Sequence, residues 1–226
     1  MNVSTKTIKL KKLTVTAMLT AIAFLCVMLF KFEVLFLTFD LKDAVLAVIA
    51  FLYGPLYGVI SAISVAFLEF ISFSDTGIYG LIMNALSSVT FSFICGIIYK
   101  YRRTLLGAVL GTVTAVFAMT AVMLVANIFI TPYYMHVESK EVIALIPTLF
   151  LPFNLIKGVV NAASTMIIYK PITTALKKVG LSAKDSHYTD VKKFVVLSVI
   201  SAVIAIVAIL MILYVLHGDF SFGKSL

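Results

Sequence analysis

From Thr14 to Leu216 the sequence is a succession of apolar runs of near membrane-spanning length, parted by short charged loops. A bilayer core of about 30 Å takes roughly 20 helical residues to cross. Lipid offers the backbone no hydrogen-bond partners, so such a chain must fold as a bundle of helices. The chain is 62% hydrophobic and only 12% charged, with a mean hydropathy of +1.13. That leaves too little polar surface for a soluble domain, and the expectation is an all-α integral membrane protein embedded in the lipid bilayer.

The runs are read at 14–30, 41–52, 56–73, 78–99, 105–130, from 143 or 149 to 169, and 194–216. The first follows Lys6, Lys9, Lys11 and Lys12 and precedes no small-residue cleavage site, so it is taken as a retained span. The second is too short to cross alone unless Asp43 is carried inside the protein, and Gly54-Pro55 breaks it. Small residues recur every four positions at Gly54, Gly58, Ala62 and Ala66, and again at Ala17 and Ala21; such faces let helices approach closely. Pro132 is expected to end the fifth run, and Pro147 and Pro152 to disturb the start of the sixth. Residues 1–180 thus read as a six-helix unit, and 181–226 as a linker with a seventh span.

The net charge of +8 is a topology signal rather than a nucleic-acid one. With a cytoplasmic N-terminus, thirteen Lys and Arg side chains fall on the cytoplasmic side. Lys31, Lys42, Lys140 and Lys224 fall outside, which is the bias expected of a multi-pass protein of the cell membrane.

Within the sixth run, Asn154, Lys157, Asn161 and Thr165 share one helical face at about 100° per residue. An intramembrane Lys costs roughly 3 kcal/mol to insert, so the protein interior must receive this stripe. Asn84 and Asn127 lie at a similar depth on other runs, flanked by Phe, Tyr and Met. An apolar cleft with a few placed polar groups is the general form of a small-molecule site. Two alternatives stand beside this reading: each Asn can act as inter-helix glue, and Lys157 can pair with Glu69, Asp40 or Asp43.

Enzyme chemistry finds little support. Asp185, Ser186 and His187 are mere neighbours in a hydrophilic linker, and no metal-binding or phosphate-cradling motif is present. Cys26 and Cys95 sit within spans and suggest neither a disulfide nor a metal site.

Pro152-Phe-Asn-Leu-Ile-Lys-Gly158, Asn127-Ile-Phe-Ile-Thr-Pro132-Tyr-Tyr, Phe39-Asp-Leu-Lys-Asp43 and the Gly54-Pro55 turn together resemble the riboflavin-specific S components of energy-coupling factor (ECF) transporters, the RibU family. The likeness spans about residues 10 to 180. It implies a six-helix substrate-binding subunit, not an enzyme, with both ends of that unit cytoplasmic. Such a subunit takes up its vitamin from outside and delivers it by toppling in the membrane, docked on a transmembrane coupling subunit and two ATPases. It needs no cofactor: riboflavin, or its phosphorylated form FMN, is cargo. The family's Ala-x-x-x-Ala docking motif matches Ala17 and Ala21. Asn127, Asn154 and Lys157 are then expected on the flavin ring, and Asp43 or Asn84 on the ribityl hydroxyls, with Asp40 and Asn161 completing the site. Another vitamin or precursor, or a membrane enzyme acting on a lipid-like substrate through Glu69, Asp43 and Lys157, are the competing readings. The seventh span departs from the family pattern.

Overall fold

The computed structural model describes residues 5–34, 37–73, 76–178 and 191–217. Ser74 and Asp75, between the third and fourth runs, lie outside them, as does the linker with Asp185, Ser186 and His187. The chain runs α1 (Thr5–Phe30), a small antiparallel hairpin of β1 (Phe32–Val34) and β2 (Leu37–Phe39), α2 (Lys42–Tyr53), α3 (Pro55–Phe73), α4 (Gly77–Tyr101), α5 (Leu105–Met135), the short α6 (Ser139–Ala144), a π-helical turn (Ile146–Phe150), α7 (Leu151–Lys178) and α8 (Val191–His217). Among the described residues, five helices are long and apolar enough to cross a membrane: α1, α3, α4, α5, and the stretch from the π turn through α7. Large apolar side chains such as Leu29, Ile71, Phe117 and Phe129 remain exposed on the outside of the bundle, as lipid contact requires.

The helix too short to cross is the innermost one. Every residue of α2 from Lys42 to Phe51 is buried, and α1, α3, α4 and α7 pack around it. Its run of Ala and Val permits this closeness. A Cβ placed on Gly96 of α4 would come within 2.8 Å of Pro55 Cα and 2.9 Å of Ala50 Cβ, so glycine there sets the α2–α3–α4 contact. The turn after α2 needs Gly54 at φ +103°, a conformation costly for any residue with a Cβ.

Three expectations change. The segment after α1, whose Lys31, Glu33, Asp40, Lys42 and Asp43 read as a polar connection of mixed charge, pairs into the hairpin, with Phe32 opposite Phe39 and Val34 opposite Leu37. Pro132 does not end α5. The helix continues to Met135 and is closed by His136 in the left-handed region at φ 55°, with the next backbone N–H, that of Val137, reaching Pro132 O at 3.2 Å. Lys42 is no loop cation: it is fully buried. Pro147 and Pro152 do disturb the entry to the sixth span, which becomes the π turn. There the Phe150 N–H bonds Leu145 O at 3.1 Å, five residues back, and the wider turn absorbs the missing proline donors. The apolar stretch Phe194–Ala208 of α8 packs on α7, and Lys170 Nζ lies 4.8 Å from the centre of the Phe194 ring.

Candidate functional site

A cleft opens at the hairpin end of the bundle, where β2 meets the first turns of α4 and α7 and the last turns of α5. Its polar lining includes Thr38, Asn84, Asn127, Thr131, Asn154 and Lys157, and its apolar lining Tyr79, Met83, Met123, Tyr134 and Phe153. Four of the residues expected from sequence (Asn84, Asn127, Asn154 and Lys157) therefore meet in one place, brought there by three different helices. The cavity is about 80 Å³, below the roughly 300–1,000 Å³ of small-molecule pockets. A tricyclic guest would have to displace side chains; the rings of Tyr79 and Tyr134, 6.4 Å apart, stand among the lining.

The two buried amides are held by their own helices. Asn127 Nδ2 donates to Met123 O at 2.7 Å, and Thr131 Oγ1 donates to Asn127 Oδ1 at 2.8 Å. Asn154 Nδ2 donates to Phe150 O at 2.8 Å. A carboxamide has two N–H donors and an acceptor oxygen with two lone pairs. Each side chain is thereby oriented yet keeps capacity for a ligand.

Asp40, Asp43 and Asn161 do not line the cleft; they lie behind it. Lys157 Nζ donates to Asp40 Oδ2 at 2.9 Å and to Thr38 O at 3.0 Å. The ion pair named as an alternative from sequence is thus present. An ammonium has three N–H donors, so one is left over, and Lys157 itself lines the cleft. Lys42 Nζ sits 3.4 Å from the same Asp40 oxygen and donates to Glu69 Oε1 at 2.6 Å. Asn84 Nδ2 donates to Glu69 Oε2 at 3.1 Å. Asn161 fastens the hairpin exit to α2 and α7, its Nδ2 donating to Asp40 O at 2.9 Å while its Oδ1 accepts from the Ala44 N–H at 3.1 Å. The result is a continuous chain from Asn84 through Glu69, Lys42 and Asp40 to Lys157, joining two walls of the cleft.

Asp40 is completely buried. Burial alone would raise its pKa, but Lys157 and Lys42, with the Lys42 backbone N–H at 3.2 Å, outweigh that and hold it at about 2. It is ionised at any ordinary pH and fixes Lys157 in place. The hairpin was missing from the sequence reading of this site: Leu37 and Thr38 line the cleft, and three-residue strands give no period-2 pattern to find. Lys42 was missed because its neighbours Asp40 and Asp43 made it look like part of a loop.

On α1, Ala17 and Ala21 are exposed beside Met18, Ile22 and Leu25. That small-residue face is not used inside the bundle.

Residues 11–169 match the family described as ECF transporter, substrate-specific component. The chain is 30% identical over 179 residues to the riboflavin transporter RibU of Staphylococcus aureus, covering 75% of this chain and 94% of that one. It is also 30% identical over 173 residues to the riboflavin transporter FmnP of Bacillus subtilis, covering 71% and 91%. A solved structure, of the S component of a bacterial ECF transporter, superimposes with a TM-score of 0.64 at 29% identity, over 75% of this chain and 99% of its own.

Proposed function

Since this chain belongs to the substrate-specific components of ECF transporters, a family of multi-pass membrane uptake subunits and not of enzymes, we propose that its cargo is riboflavin, bound in the cleft between the hairpin, α4, α5 and α7. The observation that carries this is the meeting of Asn127, Asn154 and Lys157 at one depth, beside relatives named as riboflavin transporters. The pyrimidine edge of an isoalloxazine alternates acceptors with an N–H donor. Carboxamides match both kinds of group, and the remaining N–H of Lys157 is placed to donate to a ring carbonyl. Tyr79, Tyr134, Phe153 and the two Met side chains offer apolar surface to the rings, while Asn84 and the hairpin backbone are within reach of the ribityl hydroxyls. Asp40 and Asn161 act through Lys157 and the hairpin rather than on the ligand.

In this reading the N-terminus is cytoplasmic, and the hairpin end faces outwards, in keeping with the distribution of basic residues. Partners are a transmembrane coupling subunit, docked on the Ala17–Ala21 face of α1, and two ATPases. Residues 1–180 form the binding unit, and α8 is an addition to it. A protein purified from riboflavin-fed cells should be yellow and should quench flavin fluorescence. A colourless protein whose bound vitamin is displaced by thiamine or biotin but not by riboflavin would overturn the assignment of cargo.

A further inference from the structure

We propose that Asp43 is a buried proton-binding site, its carboxyl held in the neutral form so that the charged cluster behind the cleft sums to zero. Among the described residues, the buried charged ones are Asp40, Asp43 and Glu69 against Lys42 and Lys157. Three carboxylates face two ammonium groups, which leaves one negative charge uncompensated in a region with no access to water. The ion pairs and hydrogen bonds show which carboxylate is the odd one. Asp40 has both lysines, and Glu69 has Lys42 and Asn84. Asp43 has neither: it is 0% exposed, and both of its oxygens lack a hydrogen-bond partner. An ionised carboxylate without donors is among the costliest groups to bury, and protonation is the ordinary way such a group sheds its charge.

The titratable and polar groups around Asp43 come from its own helix end and from two of the helices packed on α2. They are Asp40 and Lys42 at its own N-terminal end, Ser88 and Cys95 on α4, and Lys157 on α7; Glu69 of α3 and Cys26 of α1 face Asp40. Asp40 repels a second charge at Asp43, whereas both lysines are already engaged with other carboxylates. The Ser88 hydroxyl, also without a partner among the hydrogen bonds, is the donor that faces Asp43 from α4. A neutral Asp43 can donate its O–H to Ser88 Oγ, whereas an ionised one can only accept the Ser88 O–H and keeps an uncompensated charge. The proton comes from solvent on folding. Because the folded chain keeps a proton that an unfolded Asp releases above about pH 4, the sign of the linkage is a stability that falls as pH rises.

The test is infrared difference spectroscopy of the full-length protein in nanodiscs, parent against Asp43→Asn and against Glu69→Gln. The expected result is a carboxylic-acid C=O band at neutral pH that disappears in Asp43→Asn and persists in Glu69→Gln. In parallel, the thermal midpoint of the parent should decline as pH rises above about 4, and that decline should be lost in Asp43→Asn. If Asp43→Asn fails to fold, the parent and Glu69→Gln spectra still decide the matter. No acid band in the parent, or a band lost in Glu69→Gln, would overturn the proposal. So would stabilisation by sodium without an acid band, which would put a metal cation where the proton is placed here.

Discussion

Replacing Lys157 by Met keeps most of the side-chain volume and removes the ammonium, so it separates the two jobs this residue holds. Behind the cleft, Asp40 would keep only Lys42, at 3.4 Å, and the Lys42 backbone N–H. Breaking a buried pair by removing one partner costs about 3–5 kcal/mol. Because Lys42 remains, the lower end applies, or roughly 6–12 °C in thermal midpoint for a chain of this size. In the cleft, the ligand loses one donor, worth about 1–3 kcal/mol, which makes riboflavin bind about 5- to 150-fold more weakly. Adding Asp40→Asn removes the stranded charge, so the double variant should recover part of the lost stability and none of the lost affinity. Thermal unfolding and fluorescence titration on the same samples read the two effects apart. A Lys157→Met protein binding riboflavin within about twofold of the parent, well inside that 1–3 kcal/mol range, would refute the placement of its third N–H on the ligand.

Four further outcomes are expected. Asn127→Leu and Asn154→Leu should each weaken riboflavin binding by about 1–3 kcal/mol in the same titration, since each removes ring-edge partners. Gly96→Ala, whose new Cβ would sit 2.8 Å from Pro55 Cα, should destabilise the protein by about 1–3 kcal/mol in thermal unfolding, without a direct effect on the ligand. Asp40 has a pKa lowered from 3.8 to about 2, so its contribution is complete above pH 4 and lost as pH falls towards 2. An acid-unfolding series on Asp40→Asn should lack that limb. A chain truncated after Lys178 should retain riboflavin binding, because no described residue of α8 lines the cleft.

Much of the bundle was legible because lipid imposes a simple rule: apolar runs of sufficient length become helices, and breaks fall at charge and at Gly-Pro. The convergence of Asn84, Asn127, Asn154 and Lys157 could be anticipated from helical spacing, since a polar stripe in lipid must turn inward. What could not be read was pairing. Helical periodicity places Lys157 on a face but does not say whether Asp40, Asp43 or Glu69 will reach it, since those sit more than 80 residues away in sequence. The interior position of Lys42 depends on α2 being swallowed whole by its neighbours, a tertiary event that leaves no local signature. The hairpin escaped for the opposite reason, its strands being too short to carry a pattern. Pro132 was a plausible helix end by local chemistry, and only the packing of α5 against α4 and α7 carries the helix past it.

Whether this cleft takes a flavin decides the cargo. Titrating riboflavin with the purified full-length protein and following its fluorescence tests that most directly. Saturable quenching at one flavin per chain, weakened by Asn154→Leu, is the predicted result. Fluorescence unchanged by folded protein in excess, or quenching that Asn127→Leu, Asn154→Leu and Lys157→Met all leave untouched, would contradict it.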